Sequence, residues 1–249
     1  MELVIIGSSG TYPKPGGACN CYLVRTQNNK ILIDIGPGSL SKLFKWQDPG
    51  ELDAIFISHM HPDHFTDIFP LRYYLQFSAK KNGLPIKVFA PSGSREKIIS
   101  LSSDSNIEGF DSVFDWREIS DKESIRFDEI EVKTDEVPHL PPTFAITILK
   151  GGRKIFYTSD TAYDERLIEM AAGASIFLCE ASLTRDVSSG VAHLNGLQAG
   201  KLAAAADVSK LILTHLWPHF DSQEILRDAS EEFNGIIELA EDEKVIRTD

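Results

Sequence analysis

Cysteine is scarce in this chain of 249 residues: there are three, Cys19, Cys21 and Cys179. An odd number spread over that length implies no disulfide framework, and a reducing cytoplasm is the expected compartment. Basic residues are also few, 25 Lys and Arg against 37 Asp and Glu, for a formal charge of −12. That balance opposes non-specific binding to polyanions and to acidic membrane surfaces. No apolar run approaches membrane-spanning length, so no membrane partner is expected. Met1-Glu2-Leu3-Val4-Ile5-Ile6 lacks the basic start and long apolar centre of a signal peptide. No linker or low-complexity segment divides the sequence, which is long enough to bury a full core. We expect one domain over residues 1–249.

What the chain does have is histidine in a pattern. His59-Met60-His61-Pro62-Asp63-His64 follows the apolar run Ala54-Ile55-Phe56-Ile57 and places four potential metal ligands within six residues. His and Asp together suit a borderline cation such as zinc. His59 and His61 are two apart, so in an extended segment they project to one side and can share an ion. Asp63 and His64 are adjacent and can serve a second ion. Pro62 is expected to prevent a regular helix through the middle of the group and to hold Met60-His61 extended. The plain alternative is a solvated polar loop.

Hydrophobic periodicity places the cluster in context. Strands are expected at Leu3–Ile6, Cys21–Val24, Ile31–Ile35, Ala54–Ile57, Ile86–Ala90, Val113–Ile119 and Ile130–Val137. After Pro142 the pattern recurs, with a hairpin Phe144–Leu149/Lys154–Thr158 turning at Gly151-Gly152 and strands at Ile176–Cys179, Leu211–Thr214, Ile236–Leu239 and Val245–Ile246. Helices are expected at Leu40–Phe44, Asp67–Phe77, Gly93–Leu101, Arg166–Ala171, Leu197–Ala206 and Gln223–Phe233. The reading is α/β (α+β): two similar β-sheet halves, each covered by helices on its outer face. Gly7–Pro13 is a glycine- and hydroxyl-rich turn whose amides could meet an anion. Glu241-Asp242-Glu243 reads as a solvated acidic surface.

All seven histidines can be placed: His59, His61, His64, His139, His193, His215 and His219. Most end or closely follow a strand, as does Asp160. One reading gives His59, His61 and His139 to a first ion and Asp63, His64 and His215 to a second, with Asp160 bridging. An open position on each ion is the mark of a catalytic site. His219 either lines the entrance or is a bystander.

The His59–His64 stretch matches the H-x-H-x-D-H signature of the metallo-β-lactamase fold superfamily, and His139, Asp160 and His215 match its remaining ligands in order. The resemblance covers nearly the whole chain and implies an αββα sandwich with a dinuclear site at one edge. Within that superfamily the chain looks most like the short, armless ribonuclease Z-like phosphodiesterases, on three features: Gly7–Pro13, Ser159-Asp160-Thr161, and Glu180-Ala181-Ser182 followed by His193. The resemblance implies that Glu180 and His193 act as a pair beside the metals; the alternative is a capping Glu180 and a helix-start His193. Ribonuclease Z proper carries a basic arm, in many members between the third ligand His and the bridging Asp. Here His139 and Asp160 are only 21 positions apart, so transfer RNA is not the expected partner.

The expected function is a dinuclear hydrolase acting on a small or nucleotide-type phosphodiester through a hydroxide shared by two divalent ions, zinc foremost and manganese or iron otherwise. Asp63 would orient the nucleophile, and His193, held by Glu180, would protonate the leaving group. A homodimer is a further expectation from the relatives. The rivals are a thioester, lactone or lactam hydrolase on the same fold, a transfer-RNA-processing endoribonuclease, and a non-catalytic metal-binding protein.

Overall fold

The computed structural model describes residues 1–77, 85–102, 107–187 and 190–248. Two seven-stranded sheets are built on one plan. The first runs β14(Val245–Arg247), β1(Glu2–Gly7), β2(Cys21–Arg25), β3(Lys30–Ile33), β4(Ala54–Phe56), β5(Ile86–Ala90), β6(Phe114–Glu118). The second runs β13(Ile236–Leu239), β12(Lys210–Thr214), β11(Ile176–Glu180), β10(Arg153–Tyr157), β9(Thr143–Lys150), β8(Glu131–Val137), β7(Glu123–Arg126). In each, three antiparallel pairings give way to three parallel ones, at β3–β4 and at β10–β11. Parallel strands need helical crossovers, and these supply the outer layers.

The period-two pattern sorts the core. In β1, Leu3 and Ile5 face the other sheet, whereas Val4 and Ile6 face the helices. The central cluster joins Tyr22, Val24 and Phe56 of one sheet to Ile146, Tyr157, Leu178 and Ile212 of the other. The first sheet is covered by α1(Ser39–Leu43), α3(Ile68–Phe77), α4(Ser94–Leu101) and α5(Ile107–Asp111), through residues such as Leu43, Leu71, Ile98 and Phe110. The second is covered by α6(Arg166–Ala171), α7(Gly196–Ala205) and α8(Ser222–Glu232). Burial on both faces explains why the parallel strands are nearly unbroken apolar runs. The layers are the αββα sandwich expected from the sequence.

Three expectations are corrected. The halves divide before Pro142: β7 and β8 already belong to the second sheet, and β14 returns to the first. The strand β7, Glu-Ser-Ile-Arg, is an edge strand without buried residues, so it carries no hydrophobic signal. Pro62 opens a short helix, α2(Pro62–Phe65), instead of preventing one. Proline is well suited to a first helical turn, where its missing N–H would have no partner. Met60-His61 is extended as expected, with His61 at φ −80°, ψ 142°. Finally, Asp242 is no loose surface acid: it accepts from Ser8 Oγ and the Ala18 amide, each at 2.9 Å, and pairs with Lys42 at 2.8 Å.

Candidate metal centre

The expected site residues gather at the carboxyl ends of strands and in the loops that follow them, the usual location of sites in open α/β sheets. The β4 strand delivers Ser58, His59 and His61, and α2 carries Asp63 and His64. His139 follows β8, Asp160 follows β10, Glu180 ends β11 and His215 follows β12. Asp34, Ser159 and His215 adopt left-handed φ values of 57°, 55° and 54° at these strand ends. Such conformations cost about 1–3 kcal/mol each and concentrate at functional sites.

Two ligand groups result. In the first, His61 Nδ1 lies 3.0 Å from His59 Nε2 and 3.2 Å from His139 Nε2. In the second, Asp63 Oδ2 lies 3.2 Å from His215 Nε2 and 3.7 Å from His64 Nε2. Asp160 stands between them, with Oδ2 3.6 Å from His59 Nε2 and 3.4 Å from His215 Nε2, and Oδ1 3.4 Å from His64 Nε2. Tetrahedral zinc with bonds of about 2.0–2.1 Å separates its ligand atoms by roughly 3.3 Å. The observed spacings cluster around that value. Asp160 Oδ1 is buried without a hydrogen-bond partner, which a cation would remedy.

The protein's own hydrogen bonds fix the tautomers. His64 Nδ1 donates to Asp34 Oδ2 at 2.7 Å. His139 Nδ1 donates to the Ala192 carbonyl at 3.0 Å. Ser182 Oγ gives its proton to Glu180 Oε2 at 2.6 Å, so it accepts from His215 Nδ1, also at 2.6 Å. Ser58 Oγ donates to Asp34 Oδ2 at 2.9 Å and accepts from His59 Nδ1 at 3.2 Å. With Nδ1 so committed, all four rings keep Nε2 as the nitrogen that faces the site, the arrangement metal-ligating histidines require.

Electrostatics agree. Burial, reinforced by neighbouring imidazoles, pushes His59 well below the ordinary histidine range and lowers His61 and His139 as well. They are neutral and ready to ligate. Burial opposes ionisation of Asp160, but His215 and His64 prevail and hold it well below the usual carboxylate range. Burial likewise opposes charge on His64, but Asp160, Asp34 and Asp63 raise it well above the ordinary histidine range, and a cation there would take the place of that proton. Asp34, Asp63, Asp160 and Glu180 put four carboxylates in a nearly dry site, a concentration that calls for cations.

Glu180 Oε1 accepts from the Thr161 amide at 2.7 Å and from His193 Nδ1 at 3.0 Å. Burial disfavours the charged form of His193, yet the Glu180 carboxylate prevails and raises its pKa to about 9. Its ring lies 5.3 Å from that of His215 and 5.2 Å from that of His139, and it groups with Asp160 and His215 closely enough to ligate.

The surroundings settle the smaller questions. The Ser9 and Gly10 amides are already bonded, to Ala18 and Leu216 carbonyls, so they are not offered to an anion. A Cβ on Gly10 would come within 2.4 Å of the His215 ring; this glycine makes room for the imidazole. His219 belongs to neither ligand group. It sits at the exposed rim, where Tyr12 Oη and His219 Nδ1 are 3.1 Å apart, and its ring stacks with that of Tyr12 and is tilted against those of Trp217 and Phe220. Cys19 and Cys21 are buried free thiols whose pKa values burial pushes up. Sequence reasoning missed Asp34 and Ser182 as partners of His64 and His215. The available signals were an acid closing the apolar run Ile31–Ile33 and a serine two positions past Glu180.

Among known proteins, a family model for the β-lactamase superfamily domain matches residues 29–216. The probable metallo-hydrolase YhfI of Bacillus subtilis is 30% identical over 244 residues, covering 96% of this chain and 97% of that protein. Its crystal structure superposes with a TM-score of 0.90 at 24% identity, over 98% of both chains. The short form of human tRNase Z superposes at 0.80 with 23% identity over the full length of both. A diphosphatase of the PhnP family superposes at 0.78 with 17% identity, over 99% and 97%. The chain belongs to the β-lactamase superfamily and is similar along its whole length to a metallo-hydrolase, with His/Asp clusters suited to metal ions.

Proposed function

We propose that the protein is a phosphodiesterase that hydrolyses a small or nucleotide-type phosphodiester with two divalent cations, zinc foremost. The observation that carries this reading is the Glu180–His193 contact at 3.0 Å, set beside Asp160 and His215. A thioester, whose thiolate departs unprotonated, has no need of a carboxylate-held imidazolium at that place, whereas a phosphodiester offers it both an anionic oxygen and a poor leaving group. His59, His61 and His139 would hold one cation, Asp63, His64 and His215 the other, and Asp160 both. The cations supply charge neutralisation and an activated nucleophile at neutral pH.

The remaining steps fall to side chains. Asp63 orients the attacking water. His193, with Nδ1 committed to Glu180, presents Nε2–H to the phosphoryl group and passes that proton to the departing oxygen. Thr161 and Ser182 hold Glu180 in place through its two oxygens. The names of two structural relatives, a tRNase Z and a diphosphatase, support phosphorus chemistry. A substrate smaller than transfer RNA is favoured by the charge of −12 and by β9 and β10, which take up most of the span from His139 to Asp160. Three free thiols fit a reducing cytoplasm.

Metal content, measured together with turnover of bis(p-nitrophenyl) phosphate, a thioester and a lactam, tests the reading. Two ions per chain with turnover of the diester alone is expected. Acyl turnover alone would make the protein an acyl hydrolase, and two ions with no turnover a metal-binding protein.

A further inference from the structure

A cavity of about 660 Å³ opens off the metal centre where His139 and His193 border it. Its wall is formed by Leu140, Ala162, Val191 and Ala192, and among the described residues the one charged side chain at its edge is His193, already paired with Glu180 at 3.0 Å. Several of the wall's backbone groups are engaged as well. The Ala192 carbonyl accepts from His139, the Ala162 amide donates to Pro138, and the His193 amide donates to Val191, at 3.0, 2.9 and 3.0 Å. Leu140 is nonetheless 82% exposed and Val191 46%. Two aliphatic side chains held in water at the mouth of a polar centre gain by being covered with something apolar. A charged substituent would find no counter-ion among Leu140, Ala162, Val191 and Ala192, and His193 is already engaged by Glu180, so its desolvation would go largely uncompensated.

We propose that this cavity is the subsite for the organic substituent of the ligand, and that it selects an uncharged aryl or heteroaryl group over a charged one. The phosphorus end of that ligand is taken from the phosphodiesterase reading; the selectivity comes from the wall itself. An anion at the cations and a ring between Leu140 and Val191 together define an aryl- or nucleobase-bearing phosphoester as the substrate class.

The test is calorimetric titration of the zinc-loaded protein with phenylphosphonate, methylphosphonate and 2-carboxyethylphosphonate, which share one anionic head and are not turned over. Phenylphosphonate is expected to bind about tenfold or more tightly than methylphosphonate, with 2-carboxyethylphosphonate no tighter than methylphosphonate. In Leu140→Ser/Val191→Ser the phenyl-to-methyl ratio should fall to about threefold or less. Both positions are exposed, and an unchanged melting curve confirms the fold of the variant. Equal affinities, a preference for the carboxylate, an unchanged ratio in the variant, or no binding of any phosphonate would each overturn the proposal. A phenyl preference without hydrolysis of bis(p-nitrophenyl) phosphate would remove the phosphodiesterase reading and leave the subsite standing. Hydrolysis without the preference would do the reverse.

Discussion

The two ligand groups use the same residue types but are held in different ways. In the first, His61 and His139 are only half-buried, and His139 is oriented by a single backbone carbonyl. In the second, Asp63, His64 and His215 are buried, His64 rests on the Asp34 carboxylate, and His215 rests on Ser182. Outer partners raise the basicity of a ligating imidazole and set its orientation. On the two-cation reading proposed above, the second position is expected to hold its ion the more tightly. Asp34 joins the two: Ser58 donates to it while accepting from His59.

The largest effect expected from breaking this contrast is at His64. His64→Ala should drop metal content from two ions to one and lower diester hydrolysis by on the order of 10³-fold or more. Elemental analysis of the purified variant beside its rate checks both. Asp34→Ala acts on the same imidazole from behind. It should weaken the tighter ion by about 10- to 100-fold, seen by chelator competition, and a larger loss at the weaker ion would reverse the proposed assignment.

The pH response separates the neutral ligands from His193 in protein stripped of metal. His193 has a folded pKa of about 9 against 6.5 unfolded, so its stabilisation is complete below pH 6.5 and is lost as pH rises through 9. The difference amounts to on the order of 3 kcal/mol. His59 has the opposite sign: its folded pKa is depressed, so the unfolded chain takes up its proton first and stability declines as pH falls below 6.5. Urea unfolding of wild type and His193→Gln at pH 6 and pH 10 should show a gap that narrows by that amount at the higher pH. A gap independent of pH would mean that His193 is not held protonated. The smallest effect is expected outside both groups. His219→Ala should keep both ions and change stability by less than about 0.5 kcal/mol, and loss of an ion would make the rim part of the centre.

Much of this was legible in the sequence because the ligands fall at ends of apolar runs and carry their chemistry in their residue type. Asp160 could be read on its own for this reason, and so could His215. Asp34 could not: an acid closing a strand is commonplace, and its partner lies 30 residues downstream. Ser182 was visible beside Glu180, but its contact with His215 crosses between strand ends. The cavity was hidden altogether, since Leu140 and Val191 come from loops 51 positions apart and only the fold brings them together. Asp242 misled because three adjacent acids resemble solvated surface, whereas this one ties Ser8 and Ala18.

The central claim is that the Glu180-held His193 is a proton donor that makes the centre a phosphodiesterase. It is tested most directly by kcat of His193→Ala, at full metal content, on two diesters that differ only in leaving group. p-Nitrophenolate departs as a stable anion, whereas an alkoxide must be protonated. The expected result is a loss of about 10²- to 10⁴-fold on the alkyl ester and a much smaller one on the nitrophenyl ester. Equal losses on both, or none, would contradict it.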